Sequence, residues 1–245
     1  MRKVIISISI ILIIWVMISI VFHPAEYLFP SLKNVIKEFI NNYKTFFNNA
    51  LYTILEVIAG FAIANIMGLF LALIVIHYKH LEQTITIMAI ILKTVPIIAI
   101  APLLVLWFGH GMGSKIAAVT ITCFIPVLIN VLTGAKEVLL KYNNLIDLYN
   151  LNKIQETKYF LLPGIMPYLM SALKISSSLA IVGALVSELI SANKGLGYLI
   201  ISNYYSMNIA AGFVCIIISS IIITIIVISI KSIHKNFPFH IFLYN

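Results

Sequence analysis

Few residues in this chain could do chemistry, and most of them stand alone in apolar sequence. Lys93 is followed by "TVPIIAIAP", which sets an ammonium group beside Pro96 and Pro102. Glu56 lies in "ILEVIAG" and Glu188 in "LVSELI". His77 and His80 flank "YK", a spacing that could serve a metal, but no carboxylate or thiol accompanies them, so they read as solvated loop residues. Cys123 and Cys215 both sit in apolar runs and read as packed thiols. There is no G-x-x-x-x-G-K-[ST] phosphate loop, no G-x-G-x-x-G fingerprint and no Ser/His/Asp pattern in a polar segment. The chain therefore has no catalytic residues, no metal ligands and no cofactor of its own on this reading. Isolated charges in apolar sequence suit a pathway better than a reaction.

The elements that must hold these residues are membrane spans. The 245 residues are 62% hydrophobic and only 10% charged, with a mean hydropathy of +1.08. Several apolar runs approach the ~20 residues that cross a bilayer as a helix. Alternating ~10-residue segments, the mark of membrane β-strands, do not occur. The chain is expected to be all-α and polytopic, one domain over 1–245. Six spans fit, at about 4–22, 51–76, 84–108, 116–134, 166–190 and 207–230. The first, 1–22, is longer than a signal core and lacks a small-residue cleavage site, so it is read as retained.

Charge distribution orients the spans. With both termini inside, the cytoplasmic segments hold Arg2, Lys3, Lys79, Lys136, Lys141, Lys153, Lys158, Lys231 and Lys235. The outer segments hold Lys33, Lys37, Lys44, Lys115 and Lys194. That bias follows the positive-inside rule and accounts for much of the net charge of +8 without nucleic acid. Residues 31–40, "SLKNVIKEFI", carry apolar side chains at helical spacing with Ser31 as N-cap. They are expected to form a short amphipathic helix on the outer surface.

Depth then sorts the charged residues. Lys93 falls roughly 13 Å into the third span, where a charge must face protein or water. Pro96 and Pro102 break backbone hydrogen bonding there, which is tolerated where a helix is packed or lines a cavity. Lys93, Pro96 and Pro102 are thus candidate path-lining residues, or else Lys93 snorkels to the interface and the prolines only shape packing. Glu188, near the outer end of the fifth span, is another, or else it reaches the interface. Glu56 is expected to be solvated at the outer surface, and Pro126 to kink the fourth span.

One inner segment stands out: "LNKIQETKYFLLPGIMP", residues 151–167. Here a polar, Lys-bearing stretch runs into two prolines, Pro163 and Pro167. Leu145, Leu148, Tyr149 and Asn152 just before or within it lie roughly on one helical face.

The stretches "LEVIAGFAIANIMGLFLALI" (55–74), "VPIIAIAPLLVLWFG" (95–109), "FIPVLINVLTGAKEV" (124–138), "LLPGIMPYLMSALKIS" (161–176) and "SELISANKGLGYLI" (187–200) resemble one family in order and separation. It is that of the transmembrane permease subunits of bacterial binding-protein-dependent ABC importers, of the nitrate/sulfonate/taurine/thiamine-precursor type. The resemblance runs from about residue 28 onward, with 28–235 as the core permease region. It implies the type I importer permease fold in a bacterial inner membrane. It also implies a second permease copy as homodimer partner, a separate ABC ATPase that carries ATP and Mg, and a periplasmic or lipid-anchored solute-binding protein. Recognition in that branch rests mainly with the binding protein.

The resemblance also gives 141–160 a role. In this family the fourth and fifth spans are joined by a cytoplasmic segment of pattern E-A-A-x(3)-G, with a proline thirteen residues after the Gly, that docks on the ATPase. Counting back from Pro163, Asn144 takes the Glu position, Leu145 and Ile146 the Ala positions, and Asn150 the Gly position. Asp147, Leu148, Tyr149, Leu151 and Lys153 complete the implied coupling segment. Asn is the commonest non-Gly residue in the left-handed conformation, so a turn at Asn150 is expected to survive. Pro163 is expected to set where the next membrane helix begins. Two rivals make different demands. A secondary transporter would show inverted-repeat halves with paired broken helices, and no second "KTVP"-like segment occurs. An intramembrane enzyme would show paired catalytic residues at one depth.

Overall fold

The computed structural model describes residues 2–22 and 24–236, and among these every regular element is helical. In lipid the backbone must satisfy itself, and helices do so within one segment. Helix α1 spans Arg2–Val21, α2 Leu32–Val75, α3 Lys79–Lys93, α4 Ile97–Phe108 and α5 Met112–Leu148. A short α6, Lys153–Glu156, passes through a π-helical turn, Thr157–Leu161, into α7, Leu162–Ser191; α8 is Leu196–Tyr205 and α9 Ile209–Asn236. Four of these are long and apolar enough to cross a membrane, and the pair α3–α4 makes a fifth if taken as one bent span. With α1, a 20-residue apolar helix, this is an all-α polytopic membrane fold.

Three boundaries differ from the sequence expectation. Ser31 does cap a helix, its side chain accepting from the Asn34 N–H at 3.4 Å, but that helix does not stop at residue 40. It runs on as α2 for 44 residues, interrupted only by the non-helical backbone of Asn42. No Gly or Pro occurs between Leu32 and Ala59 to end it. The single span expected at 84–108 is instead broken, with α3 and α4 meeting at 99°. Pro96 stands at the break as the N-cap of α4, and it cannot supply the N–H that would continue α3. Nor does Pro163 begin the fifth span. The helix starts at Lys153, where Asn152 and Gln155 form a capping box. It then absorbs the proline through the π turn, in which the Leu162 N–H reaches back to the Thr157 carbonyl.

The core is built around α2, α5 and α7. Gly60, Ala64, Gly68 and Ala72, four apart on α2, are all buried. That stripe of small residues lets α2 lie close against α5. A Cβ on Gly60 would sit 2.5 Å from Cβ of Val119, and one on Gly68 2.8 Å from Cγ1 of Val127. Cys123 and Cys215 are buried, free thiols, as their apolar settings imply. Helix α1 leans on the bundle through Trp15, whose ring packs on Phe29 and Phe213 and whose Nε1 donates to the Pro30 carbonyl at 3.1 Å. Large apolar side chains such as Ile66, Phe70 and Leu106 remain exposed on outward faces, which suits a surface bathed in lipid.

Candidate functional site

Chain direction alternates through the bundle, so it has two functional ends. One gathers the α2–α3 connection, the 149–152 turn and the end of α9. The other gathers the connections before α2, between α4 and α5, and around α8.

At the first end, α5 runs 37 residues and stops at Leu148. Asn150 then takes a left-handed conformation, φ 49°, and the Leu151 N–H closes the turn on the Ile146 carbonyl at 3.2 Å. The turn leaves apolar side chains in the open: Leu148 is 75% exposed and Tyr149 68%. Asn144, Leu145, Asp147, Asn150 and Lys153 are exposed too, and Leu151 is half-buried. Ile146 is the exception, buried against the bundle, so it anchors the segment rather than presenting it. His77 is not the free loop residue expected. Its ring lies 2.9 Å from Thr157 Oγ1 and 3.7 Å from the Glu156 carboxylate, which ties the end of α2 to the junction of α6 and the π turn. His80 is exposed, and no metal-binding group of His, Cys, Asp or Glu occurs among the described residues.

Lys93 is the last residue of α3, immediately before the 99° break. It is exposed and has no carboxylate partner among the described residues. Pro96 and Pro102 are exposed on the same bent segment, Pro102 inside α4. Pro126 sits buried inside α5, which stays helical past it.

The second end holds a buried polar knot that sequence reasoning dispersed. Glu188 is fully buried, so it does not reach the interface. One carboxylate oxygen accepts from Thr53 Oγ1 at 2.7 Å, and the other from the Gly197 N–H at 2.6 Å. Thr53 in turn accepts from the Leu196 N–H at 2.9 Å. Together they satisfy the Leu196 and Gly197 N–H donors in the first turn of α8. Asn49 accepts from the Gly195 N–H at 2.8 Å. Gly195 has φ 110°, and a Cβ there would collide with the Glu188 carboxylate, so this turn requires glycine.

Glu56 corrects the expectation of a solvated surface residue: it is 3% exposed, beside Glu188. The 110–112 connection and the loop before α8 close over that position. Lys115 was assigned to an outer loop, yet it is 1% exposed. Its ammonium donates to the carbonyls of His110 and Ser191 and to Ser114 Oγ. His110 Nδ1 lies 2.6 Å from Ser191 Oγ, fastening the same two connections again. A cavity of about 260 Å³ opens beside Glu56 and Lys115, rimmed by Tyr52, His110, Asn193 and Lys194. The one sequence signal for this knot was "KGLG", whose two glycines are those the carboxylate requires.

Comparison with known proteins places this architecture. Residues 64–239 match the family described as binding-protein-dependent transport system inner membrane component. The chain is 29% identical to a probable ABC transporter permease protein of Haemophilus influenzae, over 88% of each chain. It is 31% identical to the formylaminopyrimidine transport permease protein ThiX of Halalkalibacterium halodurans, over 70% of this chain and 69% of that one. It is 27% identical to the nitrate import permease protein NrtB of Synechocystis sp., over 71% and 60%.

Proposed function

Because the chain belongs to the family of binding-protein-dependent transport system inner membrane components, a transport membrane component and not an enzyme, we propose that it is the permease subunit of an ATP-driven importer. In this reading it lies in a bacterial inner membrane with both termini in the cytoplasm. Two copies form the path. A separate ATPase binds ATP and Mg on the cytoplasmic side, and a solute-binding protein delivers solute on the outer side.

The observation that carries the coupling role is the exposed apolar end of α5. Leu148 and Tyr149 stand in the open where the chain turns at a left-handed Asn150. Exposed apolar residues at the tip of a helix that continues beyond its membrane-spanning length suit an interface. Asn144 in place of the family's Glu leaves the contact to these apolar groups. When the ATPase dimer closes on ATP, the docked segments are drawn together and the spans turn outward. Such a shift requires ATP-bound ATPase to prefer one permease state, since a ligand moves an equilibrium only by differential affinity. Lys93, Pro96 and Pro102, at the broken α3–α4 span, are the candidate path residues. Glu188 acts differently, holding the outer end of α7 to α8.

The test is co-expression with the neighbouring ATPase and binding-protein genes. The complex should co-purify and drive ATP-dependent uptake in vesicles, while the chain alone hydrolyses no ATP. Uptake that continues without any ATPase would leave the secondary-transporter rival standing.

A further inference from the structure

A groove of about 470 Å³ lies where α2 ends against the helix entering α7. Its floor is apolar: Phe70, Leu73 and Ile74 from the last two turns of α2, and Leu162. Its rim is mostly polar and basic, with His77, Tyr78, Thr157, Lys153 and Lys158, and one apolar member, the exposed Ile154. The Lys153 ammonium sits 4.4 Å from the centre of the Tyr78 ring. Neither lysine is paired with a carboxylate among the described residues. The nearby carboxylate of Glu156 is turned to His77 instead.

We propose that this groove binds an anionic phospholipid, with an acyl chain along the floor and the phosphate between Lys153 and Lys158. Phe70 is 68% and Ile74 45% exposed, and both belong to a span. Whatever covers them is apolar and lies within the membrane. The rim follows within ~10 Å along the helix axis, the rise of seven residues, so an occupant must change from apolar to anionic over that distance. A phospholipid does so, whereas free phosphate meets only the rim and a soluble peptide does not reach the floor. Basic groups between spans on the cytoplasmic side are where acidic headgroups are held. The lipid would bridge α2 to the π turn that follows the proposed coupling segment. This inference rests on the permease reading for the groove's cytoplasmic side.

The experiment is native mass spectrometry of the full-length chain, delipidated and titrated with phosphatidylglycerol or phosphatidylcholine of the same chains. One phosphatidylglycerol should be retained in preference. Lys153→Gln and Lys158→Gln should each weaken it about fivefold, the contribution of one lysine near an anionic surface. The arginine pair Lys153→Arg/Lys158→Arg should keep it, and Phe70→Ser should weaken both lipids. Inorganic phosphate should not compete. Equal retention of the two lipids, indifference to the glutamine variants or displacement by phosphate would each overturn the proposal. So would loss of the lipid in the complex with the ATPase, which would make the groove a protein interface. Lipid retention needs no transport, so its failure is distinguishable from failure of ATP-dependent uptake.

Discussion

Thr53 and Glu188 are 135 residues apart in the chain and joined by a buried hydrogen bond of 2.7 Å. That bond makes Thr53 a relay: it donates to the carboxylate and accepts from the Leu196 N–H, so α2, α7 and α8 share one buried contact.

Removing either member should loosen all three helices. Glu188→Ala strands the Gly197 N–H and the Thr53 hydroxyl, and each stranded buried group costs roughly 1–3 kcal/mol. Glu188→Gln keeps an acceptor and should cost less. Thr53→Val with Glu188→Ala should be clearly less than additive, because the two act as one unit. Thermal unfolding of the four proteins in detergent measures this, and strict additivity would mean that they do not cooperate.

The small-residue stripe should be intolerant of bulk. Gly60→Leu must push a side chain into Val119 and the Ile116 carbonyl, both on α5. Overpacking of this kind typically costs ~1–3 kcal/mol, so yield and melting temperature should fall. Gly111→Ala, with open space around it, should be close to neutral in the same assay.

The exposed end of α5 should carry ATPase binding. Truncating an apolar anchor at an interface costs ~2 kcal/mol or more, so Tyr149→Ala should release the ATPase on co-purification. Asn150→Gly should be tolerated at φ 49°, whereas Asn150→Val should be harmful, because a β-branched residue resists that region. Lys158→Ala, at the rim, should leave ATPase binding almost unchanged. Full binding and uptake by both Tyr149→Ala and Asn150→Val would remove the coupling role from this segment.

Lys93→Leu should impair solute uptake while insertion and assembly stay intact. An exposed ammonium at the α3–α4 break has no carboxylate partner among the described residues to strand. Transport at the parental rate would mean that Lys93 only reaches toward the interface.

What the sequence made legible was local. The apolar runs located the spans apart from the break between α3 and α4, Ser31 marked a helix start, and the tolerance of Asn for left-handed backbone matched the turn at Asn150. Glu56 and Lys115 were misplaced because depth was counted along single spans, whereas burial here comes from two connections, 110–112 and 191–194, closing over them. The Thr53–Glu188 bond had no local signal at all, since its partners meet only through tertiary packing. Pro163 misled for a different reason. A proline forbids one hydrogen bond, but a helix can widen by one residue and continue.

The unbroken length of α5 has a mechanical consequence. Its 37 residues make a strut of ~55 Å at the usual rise, with buried Lys115 near one tip and Tyr149 just past the other. It is gripped from near its outer end to well past its middle, by α2 at Gly60 and Gly68 and by α7 at Gly183 and, against Val138, at Gly164. A beam clamped over that length and tied at its outer tip by Lys115 does not pivot, so force on the Tyr149 tip is carried into α2 and α7 together. Because α5 has no joint of its own, bending must occur at the 149–152 turn and at the π turn of the neighbouring helix.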